Sequence, residues 1–152
     1  IEDKKYEEAQ KLMASENYKS VINKNFQLNL LWYYQYLKGD SNKTLEVSKE
    51  PPLTNDYLVQ VLTYAKLEDR KKVDSINKKY PRGTGVLIAW RANRAILYAV
   101  LKDRDSMYYY LEHVKFDDNT LRVNGRREFD PYRNEERYIA FLRMNYLPVP
   151  EE

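Results

Sequence analysis

The chain holds a single histidine, His113, and no cysteine. Without thiols neither a disulfide nor a thiolate metal site can form, and one imidazole does not close a metal site by itself. A partly exposed residue late in a helix is the expected role of His113, not a catalytic base. Gly83-Thr84-Gly85 imitates the opening of a phosphate-binding loop. It lacks the Gly-Lys-Ser/Thr that must follow and has no strand before it, so it reads as punctuation at a helix start. Asp117-Asp118 and Glu135-Glu136 are adjacent carboxylates, but neighbours in sequence do not face each other on a helix, and solvated charge is the expectation for both pairs. No catalytic, cofactor-binding or metal-ligating residue is assigned, and a non-enzymatic role is expected.

Charge offers little more. The 26 basic and 23 acidic residues leave a net charge of +3, and they are interspersed where a nucleic-acid binder concentrates its cations. Arg70-Lys71-Lys72 and Arg126-Arg127 are short basic runs, expected as solvated helix faces, with an anionic partner as the other reading. Nucleic acid is not an expected partner. Trp32, Tyr33, Tyr34 and Tyr36 are too dense for one buried stripe, so some belong to the core while one or two stand on the surface, where Tyr is favoured at interfaces. No apolar run approaches the ~20 residues of a membrane span, and no signal peptide is visible. The chain begins at Ile1, which suggests a processed form or an excised domain of a longer protein, and the absence of cysteine is compatible with cytosol or periplasm.

The elements that would position these residues are helices. With 152 residues, 43% hydrophobic and 32% charged, and only 4 Gly and 6 Pro, the composition suits amphipathic helices in one domain. Helical spacing of apolar residues predicts Asp3–Ala14, Tyr18–Lys24, Phe26–Lys38, a weaker Ser41–Ser48, a helix capped by Thr54 or Asn55 and running to about Leu67, Arg70–Lys79, Val86–Lys102, Asp105–Val114 and Asn134–Asn145. Pro51-Pro52 marks a joint between repeats. One stretch dissents: Thr120 to Phe129 alternates around Asn124-Gly125, a hairpin signal that leaves a small two-stranded flap open as an alternative.

Sliding the chain on itself by 34 residues pairs Leu62 with Ile96, Tyr64 with Tyr98, Ala65 with Ala99, Leu67 with Leu101, Asp69 with Asp103 and Val73 with Met107. A period of this kind means that each helical hairpin buries its apolar face only by stacking on its neighbours. On these residues the chain resembles the tetratricopeptide repeat family. Tyr98, Lys102-Asp103, Met107, Leu111 and Val114 sit at the family's late tyrosine, turn and second-helix anchors, and Ala95 takes the small-residue position. Tyr57, Val61, Tyr64, Glu68-Asp69 and Val73 repeat the pattern; Gly39-Asp40 matches an earlier turn, and Glu16-Asn17-Tyr18 with Val21 a first. The turns at Asn17, Asp40, Asp69 and Asp103 are unevenly spaced, and Val or Met replaces the usual small anchor. Phe129-Asp130-Pro131-Tyr132-Arg133, followed by Tyr138 and Phe141-Leu142, is similar to the segment that closes such repeat regions in bacterial transcriptional regulators and signalling proteins.

The resemblance implies an all-α fold of tandem antiparallel helical hairpins in a right-handed superhelix. Irregular units would fill about 3–50, better ones about 54–119, and a C-terminal cap about 126–147. Tyr64, Leu67, Tyr98, Leu101, Leu111 and Phe141 are expected in the core. It also implies a protein or peptide partner for a groove lined by the first helix of each pair, here Leu58, Leu62, Ala65 and Lys66 with Ala92, Ile96, Ala99 and Val100. That lining is largely apolar and lacks the Lys/Asn/Arg pattern that clamps a terminal carboxylate. Either a partner docks there, or the domain's own N-terminal helices fill it. A small-ligand sensor with a pocket between hairpins near Trp90 and the tyrosine cluster is the alternative function.

Overall fold

A computed structural model of the chain describes residues 24–80, 87–114 and 123–149, together with Glu8, Lys11 and Ser15. The fold is all-α. In order come α1 (Lys24–Lys38), α2 (Ser41–Ser48), a 3₁₀ turn at Leu53–Asn55, α3 (Tyr57–Lys66) and α4 (Arg70–Lys79). Then follow α5 (Leu87–Val100), α6 (Arg104–Leu111), a 3₁₀ segment at Arg127–Tyr132, and α7 (Glu136–Met144). Two compact units divide the chain, residues 1–77 and 78–152. The expected helices Asp3–Ala14 and Tyr18–Lys24 lie outside the described residues, apart from Glu8 and Lys11, which are helical, and Lys24, which opens α1.

One turn is built three times. Gly39, Glu68 and Lys102 take the left-handed conformation, with φ of 82°, 59° and 58°. Each donates its N–H to the carbonyl three residues back, at Tyr36, Ala65 and Ala99. The following Asp40, Asp69 and Asp103 donate to carbonyls five back, at Gln35, Tyr64 and Tyr98, so the last carbonyls of the first helix are satisfied. Each Asp then turns its carboxylate onto the next helix and accepts from Lys43, Lys72 and Ser106 N–H at 3.0, 3.0 and 3.1 Å. Such caps stabilise a helix by about 1 kcal/mol each. The uneven spacing of the turns comes from helix length, since α3 has 10 residues and α5 has 14.

Burial repeats with the turn. Every pair aligned at 34 residues shares one environment: Leu62 and Ile96, Ala65 and Ala99, Val73 and Met107 are buried, while Tyr64 and Tyr98, Leu67 and Leu101 are half-buried. Four of the residues expected in the core therefore sit at its edge. Leu67 and Leu101 lie where their helices end in the turn, and Tyr64 and Tyr98 face the partner helix of their own hairpin, with Lys72 Nζ 5.5 Å from the Tyr64 ring and Tyr110 stacked on Tyr98 at 5.5 Å. Leu111 and Phe141 are core residues as expected.

In the first unit α1 packs against both α2 and α3. Trp32 Nε1 donates to Thr63 Oγ1 at 2.9 Å, and Thr63 in turn donates to the Val59 carbonyl at 2.7 Å, so a buried indole is satisfied from α3. Of the dense aromatic run, Trp32, Tyr34 and Tyr36 are buried and Tyr33 is half-buried. The joint after α2 is held by Gln60, whose amide donates to the Ser48 and Leu53 carbonyls at 2.7 and 3.0 Å. Asp56, not Thr54 or Asn55, caps α3 by accepting from Val59 N–H.

In the second unit α5 packs against α6, with Ala92, Ala95 and Ala99 buried along α5. The 3₁₀ segment packs on α5 and α7 packs on α6. Among residues 123–149 there is no strand: Val123 and Asn124 are helical, and the N–H groups of Arg126 and Phe129 bond locally to Val123 and Arg126. The hairpin alternative fails here because Arg133 takes the carbonyls a strand partner would need, donating to Asn124 O at 2.8 Å and Arg126 O at 3.2 Å. Thr120 to Arg122 lie outside the described residues. After α7 the same left-handed turn recurs at Tyr146 (φ 55°), with Leu147 N–H bonded to Leu142 O, but here Pro148 follows in place of a capping Asp.

Candidate interaction site

The six positions expected to meet a partner occupy one register relative to their turns. Leu58, Leu62 and Lys66 lie 11, 7 and 3 residues before Asp69, and Ala92, Ile96 and Val100 lie equally before Asp103. Leu62 is 0% and Ile96 3% exposed, and Leu58 and Ala92 are buried too; only Lys66 is exposed, and Val100 partly so. In the first unit α1 supplies the cover: beside the Trp32–Thr63 bond, Lys66 Nζ lies 5.5 Å from the centre of the Tyr36 ring. An open apolar groove is not available at these residues. The large apolar side chains that do stand exposed, Phe26, Tyr109, Met144 and Tyr146, lie elsewhere.

A notch of about 380 Å³ opens where the first turns of α6 and α7 converge, lined by Arg104, Asp105, Tyr108, Glu135, Glu136 and Arg137. Glu135 Oε2 accepts from the Tyr108 hydroxyl and the Arg104 guanidinium, both at 2.7 Å. The Arg137 guanidinium stacks over the Tyr108 ring at 4.4 Å and reaches Glu112 at 2.6 and 3.1 Å. Burial, then the hydrogen bond and charge of Glu135, push the Tyr108 phenol far above its ordinary range, against the weaker pull of Arg104 and Arg137. The hydroxyl stays protonated at neutral pH and serves as a donor, not as a base or nucleophile. Glu135 is thus a bonded helix-start residue, where solvated charge was expected. Glu136 is exposed. The cations and carboxylates of this notch neutralise one another across the α6–α7 seam.

A second polar feature is α4. Arg70, Lys71, Lys72, Lys78 and Lys79 stand against the single carboxylate of Asp74, and Val73 is its one fully buried side chain. The helix is tied to α3 by tyrosines: Tyr57 donates to Asn77 Oδ1 at 2.9 Å, and Lys72 lies over Tyr64. The sequence carried this signal in Arg70-Lys71-Lys72 and Lys78-Lys79, but the even spread of charge along the chain hid the concentration on one helix.

The closing segment is structural. Phe129, Tyr132, Tyr138, Phe141 and Leu142 are buried, and the Tyr132 hydroxyl donates to the Ala99 carbonyl at 3.1 Å. Arg133 joins Asp130 at 2.7 Å while binding the Asn124 and Arg126 carbonyls, so it ties the segment to the turn before it. Arg126 pairs with Glu128 and Arg127 with Asp130.

His113 is exposed; its Nδ1 lies 2.6 Å from the Tyr109 carbonyl, and its own carbonyl accepts from Arg91 at 3.0 Å. Gly83-Thr84-Gly85 and Asp117-Asp118 lie outside the described residues. Among the described residues no three metal-ligating side chains gather. No helix there is long and apolar enough to cross a membrane. Compared with family models, curated proteins and solved structures, the chain finds no match in any of the three.

Proposed function

We propose that this chain is a tetratricopeptide-type repeat domain that holds a protein partner and performs no chemistry of its own, as part of a bacterial regulatory or signalling protein. The observation that carries the reading is the thrice-repeated turn, with the same burial on either side of it at Asp69 and Asp103. Helical hairpins repeated in this way build extended surfaces suited to recognising another chain. The protonated Tyr108 and the mutually paired charges of the notch favour binding over turnover.

The test begins with the full chain as bait in an extract of its native host. Each captured protein is then purified and titrated against the chain by calorimetry. Saturable binding that weakens when exposed charged residues of the chain are reversed, at unchanged melting temperature, is the expected result. The reading is overturned if no purified protein binds while a small-molecule fraction raises the melting temperature, the behaviour of a ligand sensor. That alternative has one observation on its side: Trp90 Nε1 is a buried donor with no hydrogen-bond partner among the described residues.

A further inference from the structure

The two second helices with a repeated register, α4 and α6, differ in what covers them. Shifting by 34 residues places Arg70 on Arg104, Asp74 on Tyr108 and Lys78 on Glu112. On α6 these three side chains receive α7: Arg104 and Tyr108 bind Glu135, and Glu112 binds Arg137. The outer face of a second helix therefore already accepts another helix once in this chain, through the Arg104–Glu135 pair at its first turn and the Glu112–Arg137 pair just past its end. On α4 the equivalent face is exposed at all three positions, and Lys71 beside it is exposed as well.

Charge says what would fit. The ten residues of α4 carry five cations and one carboxylate, a net +4 that exceeds the +3 of the whole chain, so all other residues together are net −1. Arg104, Arg126, Arg127, Arg133 and Arg137 are engaged by carboxylates of the chain itself. Among the described residues no carboxylate pairs with Lys71, Lys72, Lys78 or Lys79. Lys71 and Lys78 are two turns apart on one side of the helix, about 10 Å along its axis, the same rise at which a second helix repeats its own side chains. Where α6 presents Glu112 to a basic residue of α7, α4 presents Lys78, which calls for an acidic one.

We propose that the outer face of α4, at Lys71 and Lys78, is the docking surface for an acidic helical segment of a protein partner, seated as α7 is seated on α6. Acidic residues in the first turn of the incoming helix would meet these cations and also favour that helix's own amino-terminal end. Lysines make such a contact through mobile point charges, which gives fast, salt-sensitive association. The inference rests on the protein-binding reading above and adds the surface and the partner's chemistry.

The experiment titrates the full chain, at low salt, into a fluorescently labelled peptide of Glu-Ala-Ala-Glu repeats, its Gln-for-Glu counterpart, and a single-stranded oligonucleotide of equal charge. Binding of the glutamate peptide alone is expected, weakened on the order of tenfold by Lys71→Glu with Lys78→Glu. The same charge change placed elsewhere, Lys24→Glu with Lys49→Glu, is expected to leave it nearly unchanged. All four lysines are exposed, so melting temperatures should agree among variants. The proposal is overturned if the glutamine peptide binds as well, if both double variants weaken binding equally, or if the oligonucleotide binds in preference. No binding of the glutamate peptide also overturns it; should a native partner still bind the chain, only this surface fails and the protein-binding reading stands.

Discussion

At the scale of single residues, burial sets what each tyrosine and leucine can do. Tyr138 is fully enclosed, and burial pushes its phenol from 10.0 up to about 12, opposed by the Arg133 guanidinium and helped by Asp130. In the unfolded chain it titrates at its ordinary value. Between pH about 10 and about 12 the folded state thus keeps a proton that the unfolded state has lost, and stability must fall as pH rises through that window. Urea unfolding at rising pH is expected to show the decline, and Tyr138→Phe, which cannot ionise, a shallower one. An identical slope in both proteins would place the alkaline loss in other groups; Tyr108 and Tyr132 are raised in the same direction. The leucines give a second contrast. Leu111 is completely buried and its replacement by Ala is expected to cost ~2–5 kcal/mol, while Leu101→Ala, at the half-buried turn, should cost clearly less. Equal losses would mean that the turn leucine is packed like the core.

At the scale of elements, the turn is the unit that recurs. Its left-handed position is filled by Gly39 in one copy and by Glu68 and Lys102 in the others. A side chain there is strained, so Lys102→Gly is expected to stabilise by up to about 1 kcal/mol, whereas Gly39→Ala should destabilise although open space surrounds it. Asp103→Ala removes the cap and should cost about 1 kcal/mol. Chemical denaturation of the three variants checks the signs, and a Gly39→Ala protein as stable as wild type would contradict the geometry. These turns were legible in Gly39-Asp40, Glu68-Asp69 and Lys102-Asp103, and Ser41–Ser48 was found to the residue, because caps and glycine are local signals. Local reasoning failed at Asn124-Gly125: the alternation suggested strands, but carbonyls claimed by Arg133 and the buried ring of Phe129 are tertiary facts. It failed again over Glu135, whose Tyr108 partner lies 27 residues earlier. The sequence left open whether a partner or the chain's own N-terminal helices cover Leu58, Leu62, Ala92 and Ile96; all four are buried, and nothing local to α3 announces that α1 will lie on it.

At the scale of the molecule, apolar surface is buried within each unit and charge stands outside. Leu58, Leu62, Ala92 and Ile96 are enclosed, and the concentrated positive charge stands outside on α4. This division separates the present account from one in which the first helices form an open apolar groove. Under the groove account an aspartate at position 96 would abolish partner binding and leave the domain intact. With Ile96 only 3% exposed, the same change buries a charge that has no partner prepared for it. Urea unfolding of wild type and Ile96→Asp therefore measures the difference directly. A loss of at least about 4 kcal/mol, or a chain no longer cooperatively folded, is the expected result. An unchanged unfolding midpoint in Ile96→Asp would contradict it and return the first-helix face to the surface.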